Sequence, residues 1–149
     1  MLKGKLIHPQ ILETLGRAGH GSRILIADGN YPASTTLGPR ATLVSLNLTP
    51  GVVSCTEVLS SLLTTVPVEH ATVMDYHRSG PYALKKPPPI WSEFSDILNK
   101  AGAPLELEPI ERFAFYEATQ QPNVCLTIAT AEQRIYANLL LTIGVIVPP

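Results

Sequence analysis

The sequence predicts a single α/β domain over residues 1–149, in which helices flank a mostly parallel sheet. Short apolar runs, typical of buried strands, alternate along the chain with segments whose apolar residues recur at helical spacing. Strands that alternate with helices in this way form a sheet covered by helices. The sequence has no internal repeat and no domain boundary, and its length is sufficient for one hydrophobic core.

Four elements are predicted in the first half of the chain. Pro9 suits the first position of a helix, and Gly19 ends that helix. The apolar run that follows is a buried strand, and a loop dense in turn-forming residues comes after it. The predicted ranges are helix 8–18, strand 23–27, strand 41–46 and helix 56–65.

Five further elements are predicted in the second half. Pro67 precedes a strand, and the proline-rich segment 77–89 is interpreted as a stiff surface connector. Ile110 and Phe113 are placed together on one side of a helix. The predicted ranges are strand 71–76, helix 91–100, helix 108–119, strand 124–129 and strand 136–147.

Composition limits the function classes. Charged residues are only 15% of the chain against 45% hydrophobic ones, which predicts burial of extra surface against copies of the chain. No basic stripe for nucleic acid, signal peptide or membrane-spanning segment is recognised. Cys55 and Cys125 are interpreted as two buried thiols in a reducing cytoplasm. Classical zinc, redox and dinucleotide motifs are absent, so neither a cofactor nor a metal is predicted.

His20 and Asp28 are the first candidate functional residues. His20 lies between Gly19 and Gly21, where neighbouring side chains cannot shield the imidazole. Asp28 follows a buried strand, and ligands of open α/β sheets bind beyond the carboxyl ends of strands. The alternative interpretation, about as well supported by these residues alone, is a tight turn with a solvated histidine and an aspartate that caps the loop.

Two more pairs carry polar groups that the fold does not need. Arg112 and Tyr116 are four residues apart and share a helix face, although these residues alone favour an amphipathic helix over a site. Tyr136 and Asn138 are predicted to project to one face at the start of a strand, an arrangement suited to hydroxyl recognition. The cluster of acidic and histidine residues around 69–77 is disfavoured as a metal site, because its histidines stand at opposite ends of a strand.

Five segments together resemble the L-fucose mutarotase and D-ribose pyranase family, and are most similar to its fucose mutarotase branch. They occur in the family's order, and the similarity covers nearly the whole chain. The segment ERFAFYE is the most specific of them. The matching segments are Gly19–Gly21, Ile26–Ser34 (without Gly29), Ile90–Phe94, Ile110–Glu117 and Tyr136–Asn138.

The resemblance implies a cofactor-free enzyme that interconverts sugar anomers, with a three-layer α/β/α fold and ring-like homo-oligomers, decamers or octamers, whose sites lie at subunit interfaces. His20 matches the family's proton donor. Glu69 stands where the family often has an aspartate and is included among the sugar-binding candidates. The full candidate sugar-binding set is Asp28, Glu69, Arg112, Tyr116, Tyr136 and Asn138.

The expected distance between His20 and Asp28 adds a constraint that is independent of the resemblance. A five-residue strand at ~3.3 Å per residue holds His20 and Asp28 roughly 20 Å apart, so one hexose cannot touch both within a subunit unless the loop at 19–22 folds far back. A composite site, with His20 from one chain and Asp28 from another, resolves this. Two other hypotheses stay open: a non-catalytic monosaccharide-binding module and a purely structural oligomer. D-ribose also stays open as the substrate.

Overall fold

The structure, a computed structural model, describes residues 1–149 and contains four helices and six strands. The helices are α1 (Pro9–Arg17), α2 (Cys55–Leu62), α3 (Pro89–Lys100) and α4 (Arg112–Thr119). The strands are β1 (Arg23–Ala27), β2 (Thr42–Ser45), β3 (Val68–Met74), β4 (Leu107–Ile110), β5 (Val124–Ala129) and β6 (Leu139–Ile143).

All six strands belong to one sheet, in the order β2-β5-β1-β6-β3-β4. β1, β2 and β5 are parallel to one another, and β3 is parallel to β4. β6 lies between β1 and β3 and is antiparallel to both, so it alone runs against the other five strands. The predicted mostly parallel mixed sheet is confirmed.

Helices cover both faces of this sheet, but unequally. Alternate residues of β1 point to opposite faces, as strand geometry requires. Ile24 and Ile26 pack in the larger core with α1, α2 and α3, whereas Leu25 and Ala27 pack in a smaller core with Phe115 of α4. The predicted three-layer α/β/α arrangement is therefore confirmed, with three helices on one face and one on the other.

Local sequence signals explain where the helices begin. Ser54 and Glu57 form a reciprocal capping box at the start of α2, which satisfies backbone N–H groups that have no partner within the helix. The Glu111 carboxylate accepts hydrogen bonds from the backbone N–H groups of Phe113 and Ala114, and this fixes the start of α4. α1 and α3 both have proline within their first two positions.

Several predicted boundaries are wrong. The helix predicted over 108–119 is two elements, because residues 107–110 form β4 and Glu111 is the cap of α4. Pro109 is tolerated in β4 because this is an edge strand. The strand predicted from residue 136 begins at Leu139, and Tyr136 has a positive φ of 59° instead of strand geometry. β3 begins at Val68, earlier than predicted.

The two phenylalanines of α4 provide a test of how this helix packs. Phe115 is fully buried, whereas the side chain of Phe113, predicted to lie on the apolar side, is 68% exposed. We expect Phe115→Ala to lower the free energy of unfolding by ~3–5 kcal/mol, because it removes the anchor of the smaller core. Phe113→Ala, the matched control, should change it by less than ~0.5 kcal/mol. Urea unfolding measures both, and equal effects would contradict this packing.

Candidate functional site

A cavity of about 560 Å³ opens at the carboxyl ends of β1 and β3. Its wall comes from four places: the residues after β1, the start of α4, the segment before β6, and the loop 77–82. β1 and β3 run in the same direction on either side of β6, so their carboxyl ends lie at the same end of the sheet, which is where ligands of open α/β sheets bind. The cavity is therefore the principal candidate site.

The structure brings five of the seven candidate residues together and separates the other two. The five that border the cavity are Asp28, Arg112, Tyr116, Tyr136 and Asn138. His20 and Glu69 lie outside it. The functional roles of all seven stay predictions, but the five come from three distant parts of the sequence that converge on one cavity.

Asp28 and Asn138 form the best-defined polar contact of the cavity. The backbone N–H of Asp28 donates to Oδ1 of Asn138 at 2.8 Å, and Nδ2 of Asn138 donates back to Oδ2 of Asp28 at 3.0 Å. Backbone N–H groups of Asn30 and Ala137 also donate to the carboxylate. The carboxylate is thus held in one orientation, which is what selective recognition of a polar ligand requires.

The electrostatics of Asp28 follow from its position. Only 4% of the residue is exposed, and burial raises the pKa of its carboxyl group above the ordinary aspartate value. The backbone N–H donors of Asn30, Ala137 and Tyr31 partly offset this by stabilising the charged form, while the nearby carboxylate of Glu132 adds to the rise in pKa. The group is thus both buried and well supplied with hydrogen-bond donors.

Tyr136 holds two other segments in place. Its hydroxyl group accepts a hydrogen bond from the backbone N–H of His77 at 3.2 Å and donates one to the carbonyl of Tyr82 at 3.0 Å. Its own carbonyl accepts a hydrogen bond from Nε1 of Trp91 at 3.0 Å. A non-glycine residue at positive φ is uncommon and is often found at functional sites, and here it turns the tyrosine into the cavity wall.

Aromatic rings and one guanidinium group form another part of the wall. The rings of Tyr31 and Tyr116 are in contact, with centroids 5.6 Å apart, and the guanidinium of Arg112 lies 5.6 Å from the centre of the Tyr116 ring. The contact confirms that Arg112 and Tyr116 share a helix face. Tyr31 is anchored by a 2.7 Å hydrogen bond between its hydroxyl group and Oγ1 of Thr119. Apolar ring faces beside a cation suit a ligand with both C–H and hydroxyl surfaces.

An ion-paired cluster supports the segment that leads into β6. Arg134 donates to Glu132 through Nε and Nη2, both at 2.9 Å, and to Glu93 of α3 at 2.7 Å. Hydrogen bonding to Arg134 lowers the pKa of Glu132 although this residue is buried. The backbone N–H of Gly29 donates to the Glu132 carbonyl at 2.8 Å, an approach so close that a Cβ at position 29 would lie 3.0 Å from that oxygen. No pattern in the sequence predicts this cluster.

His20 and Glu69 lie together at the opposite edge of the sheet. Nε2 of His20 and Oε1 of Glu69 are 2.9 Å apart, and both side chains are partly exposed. Gly21 has a φ of +80°, and its N–H donates to the carbonyl of Ile143, which fixes the turn that presents His20. Within one chain, the length of β1 separates this pair from Asp28, as the reach argument predicts.

Among the cavity residues that the sequence did not single out for ligand binding are Tyr31, His77 and Tyr82. His77 and Tyr82 fall in the segment interpreted as a surface connector. A signal was available for His77, because it follows a parallel strand just as Asp28 does. Tyr31 was hidden among turn-forming residues, where an aromatic side chain has no periodic pattern to identify it.

The fold and the cavity together define a class: an α/β protein with a candidate small-molecule site at the carboxyl ends of its parallel strands, lined by polar and aromatic side chains. Comparison with known proteins then identifies the family. Residues 1–146 match the model of the RbsD / FucU transport protein family, and the chain belongs to this family.

Relatives within this group include both fucose and ribose enzymes. The chain is 34% identical to a fucose mutarotase of Danio rerio, covering 99% of this chain and 96% of that protein. It is 32% identical to a D-ribose pyranase of Streptomyces avermitilis, covering 97% and 98%. The crystal structure of a fucose mutarotase from Streptococcus pneumoniae in complex with L-fucose superposes with a TM-score of 0.77, at 28% identity and 95% coverage of both chains.

None of the four helices has the length and apolar character needed to cross a membrane.

The raised pKa of Asp28 predicts a pH dependence of stability. Between the ordinary aspartate pKa of ~3.9 and the raised value, the folded state keeps a proton that the unfolded chain releases, so the contribution of Asp28 to the free energy of unfolding falls as pH rises. Asp28→Asn removes this titration. We expect the stability of wild type relative to Asp28→Asn to decrease as pH rises from about 4.

Urea unfolding at a series of pH values measures this difference. Asp96→Asn, which alters an exposed aspartate on α3, is the matched control for trends that come from other groups. A wild-type advantage over Asp28→Asn that grows with pH would contradict the raised pKa.

Proposed function

We propose that the whole chain works as one cofactor-free sugar mutarotase domain, which interconverts the α and β anomers of L-fucose or a related monosaccharide. The observation that carries this proposal is the convergence of Asp28, Asn138, Arg112 and two tyrosines on one cavity. Membership of a family that contains fucose mutarotases and D-ribose pyranases supports it.

The reaction needs only proton transfers. A proton is delivered to the ring oxygen while another is removed from the anomeric hydroxyl group, and the bond between the anomeric carbon and the ring oxygen breaks to give the open-chain aldehyde. Rotation about the adjacent carbon–carbon bond and the reverse proton transfers close the ring on the other face. One positioned acid and one positioned base typically accelerate such steps by ~10²–10⁴-fold.

The cavity supplies groups for holding the sugar. The fixed carboxylate of Asp28 accepts hydrogen bonds from sugar hydroxyl groups, and Asn138 holds that carboxylate in place. Arg112 and Tyr116 offer a cation and a ring face, which suit ring oxygens and C–H surfaces respectively. Tyr136 positions the loop that forms the outer wall.

His20 is the proposed acid, in a composite site formed between subunits of a homo-oligomer. Histidine exchanges protons near neutral pH, and Glu69 holds the imidazole by a 2.9 Å contact. Since His20 and the cavity lie at opposite edges of the sheet, a neighbouring chain must bring His20 and Glu69 to the cavity. Glu69 is then a positioning residue for His20. A closed ring, a decamer or an octamer, repeats the same contact around an axis.

L-fucose is the preferred substrate, and D-ribose is the alternative. A structural neighbour that was crystallised with L-fucose and relatives named as fucose mutarotases support the first. Relatives named as D-ribose pyranases support the second.

A second candidate function is a non-catalytic monosaccharide-binding module. The observation that favours it is the position of His20, which does not border the cavity of its own chain. Such a module needs Asp28 and Asn138 but has no use for His20. Anomer exchange therefore separates the two functions.

The proposed location is the cytoplasm. Cys55 and Cys125 are both free thiols, which fits a reducing compartment. Burial raises the pKa of Cys55 to about 12, so this thiol is unreactive.

NMR exchange spectroscopy of the anomeric protons tests the proposed activity directly. The wild-type protein should accelerate exchange of L-fucose, and comparison with D-ribose and D-galactose identifies the substrate. His20→Ala should lower the rate by at least ~10²-fold, because it removes the acid. His70→Gln alters another exposed histidine, also paired with a glutamate, and is the matched control. Full exchange in His20→Ala, with the fold intact, would remove His20 as the acid, whereas wild-type protein that binds sugar without accelerating exchange would favour the binding module.

Mixing two inactive variants tests the composite site. His20→Ala keeps an intact cavity, and Asn138→Ala keeps an intact His20. If each site takes His20 from one chain and its cavity from the next, random assembly of equal amounts should restore about a quarter of the wild-type sites. Co-refolding followed by the exchange measurement detects this. Mixed protein with no more activity than the two variants measured separately would contradict a shared site.

A further inference from the structure

We propose that His77 is a second proton-transfer residue of the sugar site, supplied by the same chain as the cavity. This inference rests on the mutarotase function proposed above and assigns the partner that His20 needs. Ring opening requires an acid and a base at the same time, and one histidine cannot fill both positions. His77 lines the cavity of its own chain.

The backbone of His77 is fixed on both sides. Its N–H donates to the hydroxyl group of Tyr136 at 3.2 Å, and its carbonyl accepts a hydrogen bond from the N–H of Leu84 at 2.9 Å. The imidazole also lies over the Tyr136 ring, with centroids 6.5 Å apart and planes 30° apart. The side chain is therefore held at the cavity mouth although it belongs to a loop.

The imidazole of His77 is available in a way that the other exposed histidines are not. His20 contacts Glu69, and His70 contacts Glu108. His77 has no ion-pair partner. Its neighbour Arg78 is turned away, since the guanidinium is held by the carboxylate of Asp75.

The other titratable groups of the cavity are poorer candidates for this role. Arginine stays protonated, and tyrosine hydroxyl groups are ordinarily neutral near pH 7. Asp28 already accepts hydrogen bonds from Asn138, Asn30 and Ala137, which suits it to holding a ligand. Histidine alone gains and loses a proton readily at this pH. The titratable groups that share the cavity wall with His77 are Asp28, Tyr31, Tyr82, Arg112, Tyr116 and Tyr136.

Every proton that the proposed step takes up is returned within the same cycle. Neutral His77 takes the proton of the anomeric hydroxyl group as the ring C–O bond breaks, and His20 of a neighbouring chain gives its proton to the ring oxygen. On closure the aldehyde oxygen regains a proton from His77, and the ring-forming hydroxyl returns one to His20. Both histidines end as they began, so the cycle needs no further reactant.

The test compares His77→Gln, His77→Ala and the control His70→Gln by anomeric-proton exchange, by titration of sugar binding and by urea unfolding. We expect exchange in both His77 variants to fall by ~10²-fold. The sugar Kd should stay within about threefold of wild type, because the proposed role is in proton transfer rather than in holding the sugar. Added imidazole should restore part of the exchange in His77→Ala. Imidazole also catalyses exchange by itself, so its effect on the control His70→Gln, measured against buffer without imidazole, is subtracted.

Each outcome decides the proposal. Loss of exchange with binding retained and imidazole rescue supports it. Unchanged exchange in the His77 variants overturns it while leaving the mutarotase function intact. A parallel loss of exchange and of binding overturns it as well, because His77 then only shapes the cavity. Wild-type protein that binds sugar without accelerating exchange overturns the proposed function itself, and this inference with it.

Discussion

The reciprocal hydrogen bonds between Asp28 and Asn138 organise the site end of this molecule. They tie the carboxyl end of β1 to the residues that enter β6, the one strand that runs against the others. Because β6 lies between β1 and β3, its starting point determines what stands between the two strand ends. A buried carboxylate without these donors would be costly, so the pair is needed for stability as well as for ligand geometry.

The segment before β6 also holds other parts of the cavity wall in place. Arg134 and Glu132 anchor its first part to α3 and to Gly29, and the turn at Tyr136 directs the phenol toward the loop 77–82. The hydroxyl group of Tyr136 then holds that loop at two backbone atoms. A change at Asn138 is thus expected to disturb the outer wall as well as Asp28, because the same segment carries both.

Most of the fold was predictable from the sequence, because buried strands and amphipathic helices leave strong patterns. The strand over 23–27 was predicted with its observed bounds, and alternating patterns gave the class of the sheet. The elements of the region 107–119 were not predicted correctly. Ile110 continues the apparent helical spacing of α4, although it belongs to an edge strand. Phe113 and Phe115 differ in burial because of the way α4 meets the sheet, which its own spacing does not specify.

The candidate site was predictable only in part, and for a physical reason. Asp28 follows a recognisable strand, so its place at the sheet edge could be argued from the chain itself. Tyr136 and Asn138 were chosen through alternation in a strand, yet they precede β6, and a left-handed backbone turns Tyr136 to the cavity. His77 was weighed only within a disfavoured metal cluster, because a loop residue has no periodic pattern that would place it at the cavity. Contacts made through turns depend on tertiary structure, and a local pattern does not report them.

His20 and the cavity lie at opposite ends of β1, and this limits how the chain can use both in catalysis. The five residues of β1 are held in a sheet and separate the turn at residues 19–22 from Asp28 by the length of the strand. In the proposed mechanism, catalysis by His20 therefore uses a second chain, and activity then depends on assembly. His77, in contrast, lies at the cavity of its own chain. A site with one histidine from each of two chains couples proton transfer to assembly, since a separated subunit then holds the sugar with only half of the acid–base pair.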